Sequence, residues 1–137
     1  MNKEIISQLM FDGKTSISEK ILLKSIKSMQ KVLIKNHKKL IKIALINLVS
    51  LVKVKQLKQR RSQSKEFPFI VNKKVRVPMV LKSMFKSFER KTDIRIEKQL
   101  VHELLQASKN IGSNINKRKN IYEYSFIKKK YSHYRWF

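Results

Sequence analysis

The sequence predicts a mostly α fold, a bundle of about six helices with an inserted, protruding β-hairpin, and three observations carry that expectation. Apolar residues recur at three- and four-residue spacing through most of the chain. The period drops to two in one region, about residues 52–72. Only two glycines and two prolines punctuate 137 residues, 42% of them hydrophobic, which excludes a low-complexity or wholly disordered chain. By length, residues 1–137 are expected to be one domain with a modest core.

The elements follow in order. Ile5, Ile6, Leu9 and Met10 predict a short first helix ended by Asp12-Gly13. Ser16-Ile-Ser-Glu19 reads as a capping box opening a second helix, whose inner stripe is Leu22, Ile26, Met29 and Leu33. A third helix, about Lys38 to Leu51, is apolar on most faces and should lie deepest. Val52-Lys-Val-Lys55 and Phe67-Pro-Phe-Ile-Val71 alternate with period two, and between them lies a polar, basic tip from Lys58 to Lys65. Pro78 suits the first turn of a fourth helix with Leu81, Met84, Phe85 and Phe88 inward. Thr92-Asp93 caps a fifth, which turns Leu100, Val101, Leu104 and Leu105 inward and stops near Gly112. Asn114 caps a sixth, running past Tyr122 towards the tail.

Charge narrows the function. Lys and Arg number 33 against 9 Asp and Glu, a formal +24, and between Lys20 and Lys65 no acid occurs. Such a field opposes compaction, and a polyanion relieves it because each phosphate contact releases condensed counterions. Lys-biased drift explains some lysines but not the missing acids. Nucleic acid is therefore the expected partner, ahead of an acidic membrane surface. With no cysteine there is no disulfide framework and no thiolate metal site. His102-Glu103 begins like a metalloprotease helix, but Gln106 stands where that motif needs histidine. His37, His102 and His133 share no ligand spacing, so neither enzyme activity nor a cofactor is expected.

Three basic constellations remain. Lys53 and Lys55 suit edge protection of a ribbon, whereas Arg60-Arg61 at its tip bring planar forks that fit phosphates and bases. Lys117-Arg118-Lys119 fall near the start of helix six, where positive charge opposes the helix dipole unless an anion joins it. The terminal Tyr131-Ser-His-Tyr-Arg-Trp-Phe137 either docks its rings on the core or stacks them on bases.

Leu9–Ile21 (LMFDGKTSISEKI), Ser108–Tyr124 (SKNIGSNINKRKNIYEY) and His133–Phe137 (HYRWF) together resemble ribosomal protein seven of the small subunit, with Val52–Val71 falling where that family places its β-ribbon. The resemblance implies a helical bundle that binds the 3′ major domain of small-subunit rRNA and organises head assembly. The hairpin would lie near exit-site tRNA and the mRNA path. By position it makes Lys14, Lys73, Lys74, Arg76, Lys82, Lys117, Arg118, Lys119, Arg135 and Trp136 rRNA-contact candidates. Lys58, Arg60, Arg61 and Lys65 become the candidates facing tRNA and mRNA. The implied partners are small-subunit rRNA and neighbouring head proteins, with no membrane and no homo-oligomer. The chain differs from the family in lacking glycines at the hairpin tip, in having Val77-Pro-Met-Val80 in helix four, and in lacking a basic arm before helix one. Its Lys, Ile and Asn bias and plain N-terminus suggest an organelle-encoded, mitochondrial protein, with a plastid or a bacterial cytoplasm as alternatives. A basic nucleic-acid chaperone outside the ribosome is the other reading that charge allows.

Overall fold

The computed structural model describes residues 2–32, 36–59, 62–88 and 95–133. In chain order these form α1 (Asn2–Leu9), α2 (Thr15–Val32), α3 (His37–Leu48), β1 (Val52–Gln59), β2 (Ser62–Ile70), α4 (Lys73–Phe88), α5 (Ile96–Ser108), α6 (Ser113–Ile127) and a 3-10 turn, Lys129–Tyr131. The expected helical bundle with one inserted hairpin is the fold observed.

The helices assemble by burying the stripes that their spacing set up. Leu22 and Met29 of α2, Ile41 and Leu45 of α3, and Leu100 and Leu104 of α5 are all inside, and α5 packs against both α2 and α3. Each such side chain contributes about 1.5–3 kcal/mol on leaving water. Small polar residues set how closely the helices meet. Ser25, on the buried face of α2, donates its hydroxyl to the Ile21 carbonyl (2.9 Å), with the Glu97 carbonyl of α5 3.3 Å away. Asn47, which interrupts the apolar run of α3, donates Nδ2 to the carbonyls of Ala107 (3.0 Å) and Ser108 (3.4 Å). It thereby reaches the Ser108 carbonyl at the C-terminus of α5 and gives the Ala107 carbonyl a second donor beside the Asn110 amide.

Several boundaries differ from expectation, each for a local reason. Helix α2 starts at Thr15, so Ser16 is already helical and the anticipated capping box does not open it; instead Ser18 bonds back to the carbonyls of Lys14 and Thr15. Before it, Phe11 to Lys14 form a tight turn in which Asp12 (φ 48°) and Gly13 (φ 73°) are both left-handed. Helix α3 ends at Leu48, because the Ser50 hydroxyl donates to the Val52 carbonyl (2.7 Å) and turns the chain into β1. It is also less enclosed than expected, with Ile46 63% exposed. Helix α4 starts five residues before Pro78: Asn72 caps it, accepting from the amides of Lys74 (3.4 Å) and Val75 (3.0 Å). Pro78 therefore sits inside the helix and gives Lys74 no return bond.

The α5–α6 junction reverses two expectations. Asn110, not Gly112, ends α5: at φ 60° it places the Asn110 amide on Ala107 (3.0 Å) and the Ile111 amide on Gln106 (3.0 Å), a Schellman closure. Gly112 (φ 116°, ψ 168°) instead precedes the first residue of α6, and Asn114 lies buried within the helix rather than capping it. Leu33, Thr92 and Asp93, named above, lie outside the described residues.

The hairpin is longer than its apolar alternation suggested. Antiparallel pairing runs from Val52↔Ile70 to Leu57↔Lys65, then shifts and ends at Gln59↔Ser62. Lys58 and Lys65 therefore belong to strands rather than to a loop, while Arg60 and Arg61 lie outside the described residues.

The two φ-positive glycines differ in what an added methyl would meet. At Gly112 a Cβ would stand 2.9 Å from Gln106 Oε1 in a backbone region that only glycine occupies readily; at Gly13 it would meet open space. Gly112→Ala is expected to destabilise by about 2–3 kcal/mol and Gly13→Ala by about 1 kcal/mol, read from urea denaturation midpoints. Equal midpoints for the two variants would refute the assignment of strain to Gly112.

Candidate nucleic-acid interface

The bundle and the hairpin meet at a crease formed by the end of α3, the start of β1, one face of α4 and the second turn of α6. Its floor is apolar, from Leu48, Val52, Met79, Val80 and Ile121, and it encloses about 190 Å³. Its rim is cationic: Lys53 from β1 and Lys117 and Arg118 from α6 line the same space, with Ser83 of α4 opposite. The Val-Lys alternation of β1 puts Val52 inward and Lys53 on the exposed side.

A chain of hydrogen bonds holds one side of this rim. Glu103, buried on α5, accepts from Asn114 Nδ2 (2.9 Å), and Asn114 Oδ1 accepts from Lys117 Nζ (3.1 Å). A buried carboxylate without a cationic partner would be disfavoured, and here the relay links it to a lysine. The histidine beside it, His102, faces solvent. The His-Glu pair that looked like part of a metal motif thus points its two side chains to opposite environments. Arg118 adds a group without a protein partner: its Nε is shut off from solvent and makes no hydrogen bond.

The other expected contact residues are distributed more widely. Lys14 is exposed after the α1–α2 turn. Lys73 and Lys74 are exposed in the first turn of α4, not ahead of the helix, and Lys82 is exposed further along it. Arg76, also within α4, donates Nε to the Val71 carbonyl (2.8 Å), so part of its guanidinium fastens α4 to the end of β2. Lys117, Arg118 and Lys119 occupy the second turn of α6, where the helix dipole opposes them less than in the first. Lys65 is exposed on β2. Arg135 and Trp136 lie outside the described residues. Of the tail rings, Tyr131 meets Phe67 edge-to-face (5.8 Å between centroids, 69°), so this ring docks on the ribbon.

The ribbon is held against α6 by a second carboxylate. Glu66 of β2 accepts from Gln56 Nε2 (2.5 Å) across the sheet, accepts the Tyr124 hydroxyl of α6, and lies 3.6 Å from Lys128 Nζ. Two residues earlier on α6, the Tyr122 hydroxyl accepts the Leu51 amide (3.0 Å). Two apolar grooves flank Tyr122. One, of about 570 Å³, is lined by Leu45, Ile46, Leu51 and Val77. The other, of about 490 Å³, is lined by Pro68, Phe69, Ile70 and Phe126.

Sequence reasoning missed Lys53, Glu66, Glu103 and Asn114 as parts of this region. Glu66 had a visible signal, being the acid that ends the long basic stretch from Lys20 to Lys65. The placement of Lys53 beside Lys117 had none, since it arises only when α6 packs on β1. Among the described residues, no three metal-ligating side chains converge, and no helix is long and apolar enough to cross a membrane.

Comparison with known proteins adds to this geometry. A family model described as Ribosomal protein S7p/S5e matches residues 1–125. The chain is 27% identical over 133 residues to small ribosomal subunit protein uS7m of Reclinomonas americana, covering 97% of this chain and 83% of that protein. It is 28% identical to uS7 of Acidiphilium cryptum (93% and 82% covered) and 29% identical to uS7 of Wigglesworthia glossinidia brevipalpis (98% and 88% covered).

The Glu66 joint carries a pH signature. Hydrogen bonds from Gln56 and then Tyr124, with the nearby Lys128 charge, hold the Glu66 carboxyl below its ordinary value. A depressed folded-state value stabilises the joint above the unfolded value of about 4.3, and that stabilisation is lost as pH falls through the lower folded value. Below about pH 4.3, the protection of β1 and β2 amides against exchange is expected to fall before that of α5, and Glu66→Gln should remove that difference. A parallel loss of protection in ribbon and α5 would refute it.

Proposed function

The chain belongs to the ribosomal protein S7p/S5e family and is a structural constituent of the small ribosomal subunit, and we propose that it binds the 3′ major domain of the small-subunit rRNA and organises assembly of the subunit head. The observation that carries this reading is the convergence of Lys53, Lys117 and Arg118 on one crease of a chain with formal charge +24. Cations gathered from a strand and a helix suit a folded polyanion, whose phosphates approach from several directions. Lys14, Lys73, Lys74, Lys82 and Lys119 neutralise further phosphates, and Arg135 and Trp136 add a planar contact. In this reading the hairpin faces exit-site tRNA and the mRNA path, with Lys58 and Lys65 on its strands and Arg60 and Arg61, outside the described residues, as further contact candidates.

The protein's other partners are neighbouring head proteins, and it acts as a single copy. The ribosome concerned is mitochondrial in this reading: the composition is Lys-, Ile- and Asn-rich, and a mitochondrial relative stands among the similar proteins. The relatives from Acidiphilium cryptum and Wigglesworthia glossinidia brevipalpis keep a bacterial setting as the alternative to test.

Crosslinking and sequencing of the tagged protein in its native compartment tests the assignment. Reads concentrated in the 3′ major domain support it, whereas reads scattered over DNA and unrelated RNAs would make the chain a general nucleic-acid chaperone. Reconstitution gives a second prediction. Joint replacement of Arg135 and Trp136 by alanine should weaken rRNA binding by about tenfold or more, because a stacked ring and a planar fork both go. Replacing Lys24 and Lys27 of α2 should mainly lower the salt dependence, by about one unit for each phosphate no longer neutralised. Equal falls in affinity in the two double variants would sink the distinction.

A further inference from the structure

The crease itself is more specific than a phosphate cradle. Its floor is apolar and its volume, about 190 Å³, equals the share of roughly six waters. A bare phosphate has no use for Met79, Val80 and Ile121, and a duplex is too broad to enter. The rim, by contrast, is cationic on two sides, and Lys117 is held in place through Asn114 by buried Glu103. Arg118 lines the same space and brings a planar guanidinium fork to it.

The geometry points to a seat for one unstacked nucleotide of the bound RNA. Its base enters the crease against Met79, Val80 and Ile121, with a polar edge offered to the Arg118 guanidinium. Its flanking phosphates lie on Lys53 and Lys117. Single-stranded loops and bulges present bases of this kind, and arginine planes serve as surfaces for them. This rests on the RNA-binding reading above and adds what the crease selects: a bulged or looped nucleotide in preference to regular duplex.

The test separates base entry from phosphate contact by measuring affinity for a transcript of the 3′ major domain across a range of salt concentrations. Ser83→Trp places a ring at the exposed rim and leaves the net charge unchanged. Arg118→Lys keeps the charge and removes the fork, and it serves as the second variant if the first folds poorly by circular dichroism. Both should lose about tenfold or more in affinity with an unchanged salt slope, whereas Lys82→Gln should lose slope by about one unit and little else. Wild-type affinity and slope in both crease variants would overturn the nucleotide seat while leaving the rRNA assignment intact. A wild-type protein that prefers this transcript no more than unrelated RNA would overturn the assignment itself, and the seat with it. Binding of free nucleoside monophosphates that Ser83→Trp abolishes, with transcript binding unaltered, would overturn the RNA seat in favour of a soluble nucleotide.

Discussion

Unopposed positive charge is the constraint on which the rest of this structure depends. With 33 basic residues against 9 acids, the chain has few internal counterions. Two of its carboxylates stand at joints. Glu103 ties α5 to α6 through Asn114, and Glu66 ties the ribbon to α6 through Tyr124 and Lys128. A third, Glu97, lies 3.8 Å from Lys24 between α5 and α2, and with the lysine side chain largely exposed the pair adds little. Each acid at a joint connects separate elements, which a sea of lysines alone would push apart.

The core answers the same constraint differently. Its helices reach close contact by burying aliphatic stripes with small polar residues between them, so that Ser25 and Asn47 finish backbone bonding where two helices meet. Lysines then occupy outer faces in almost every element, and Lys53, Lys117 and Arg118 gather along the rim of the crease beside α6. That region lies where the ribbon joins the bundle.

The sequence made the helices and the core legible because aliphatic residues at helical spacing have few alternatives to burial. Leu100, Val101 and Leu104 went inward as the spacing required. Reading failed where one residue type serves two purposes. Pro78 suggested a helix start, yet Asn72 supplied the cap and the helix simply tolerates the proline. Asn110 and Gly112 both adopt positive φ, and the asparagine, not the glycine, closes α5. The outer half of the ribbon pairs polar residues apart from a lone Leu57, so no apolar period announced it. At the candidate interface, the Lys117-Arg118-Lys119 cluster was plain in one line of sequence. Its neighbours Lys53 and Asn114 were not, because only packing across β1, α5 and α6 brings them there.

The grooves beside Tyr122 bear on the chain's life before incorporation. Ile46, Ile70 and Phe126 are 63%, 79% and 75% exposed, along a largely apolar seam that Glu4, Lys42 and Lys129 border. A free copy therefore offers two kinds of adhesive surface at once: cations to any stray polyanion and a greasy seam to any half-folded neighbour. Such a chain is poorly suited to storage. Copies made beyond the supply of fitting RNA are therefore expected to aggregate or to be degraded, so that the partner's supply limits how much of the protein persists.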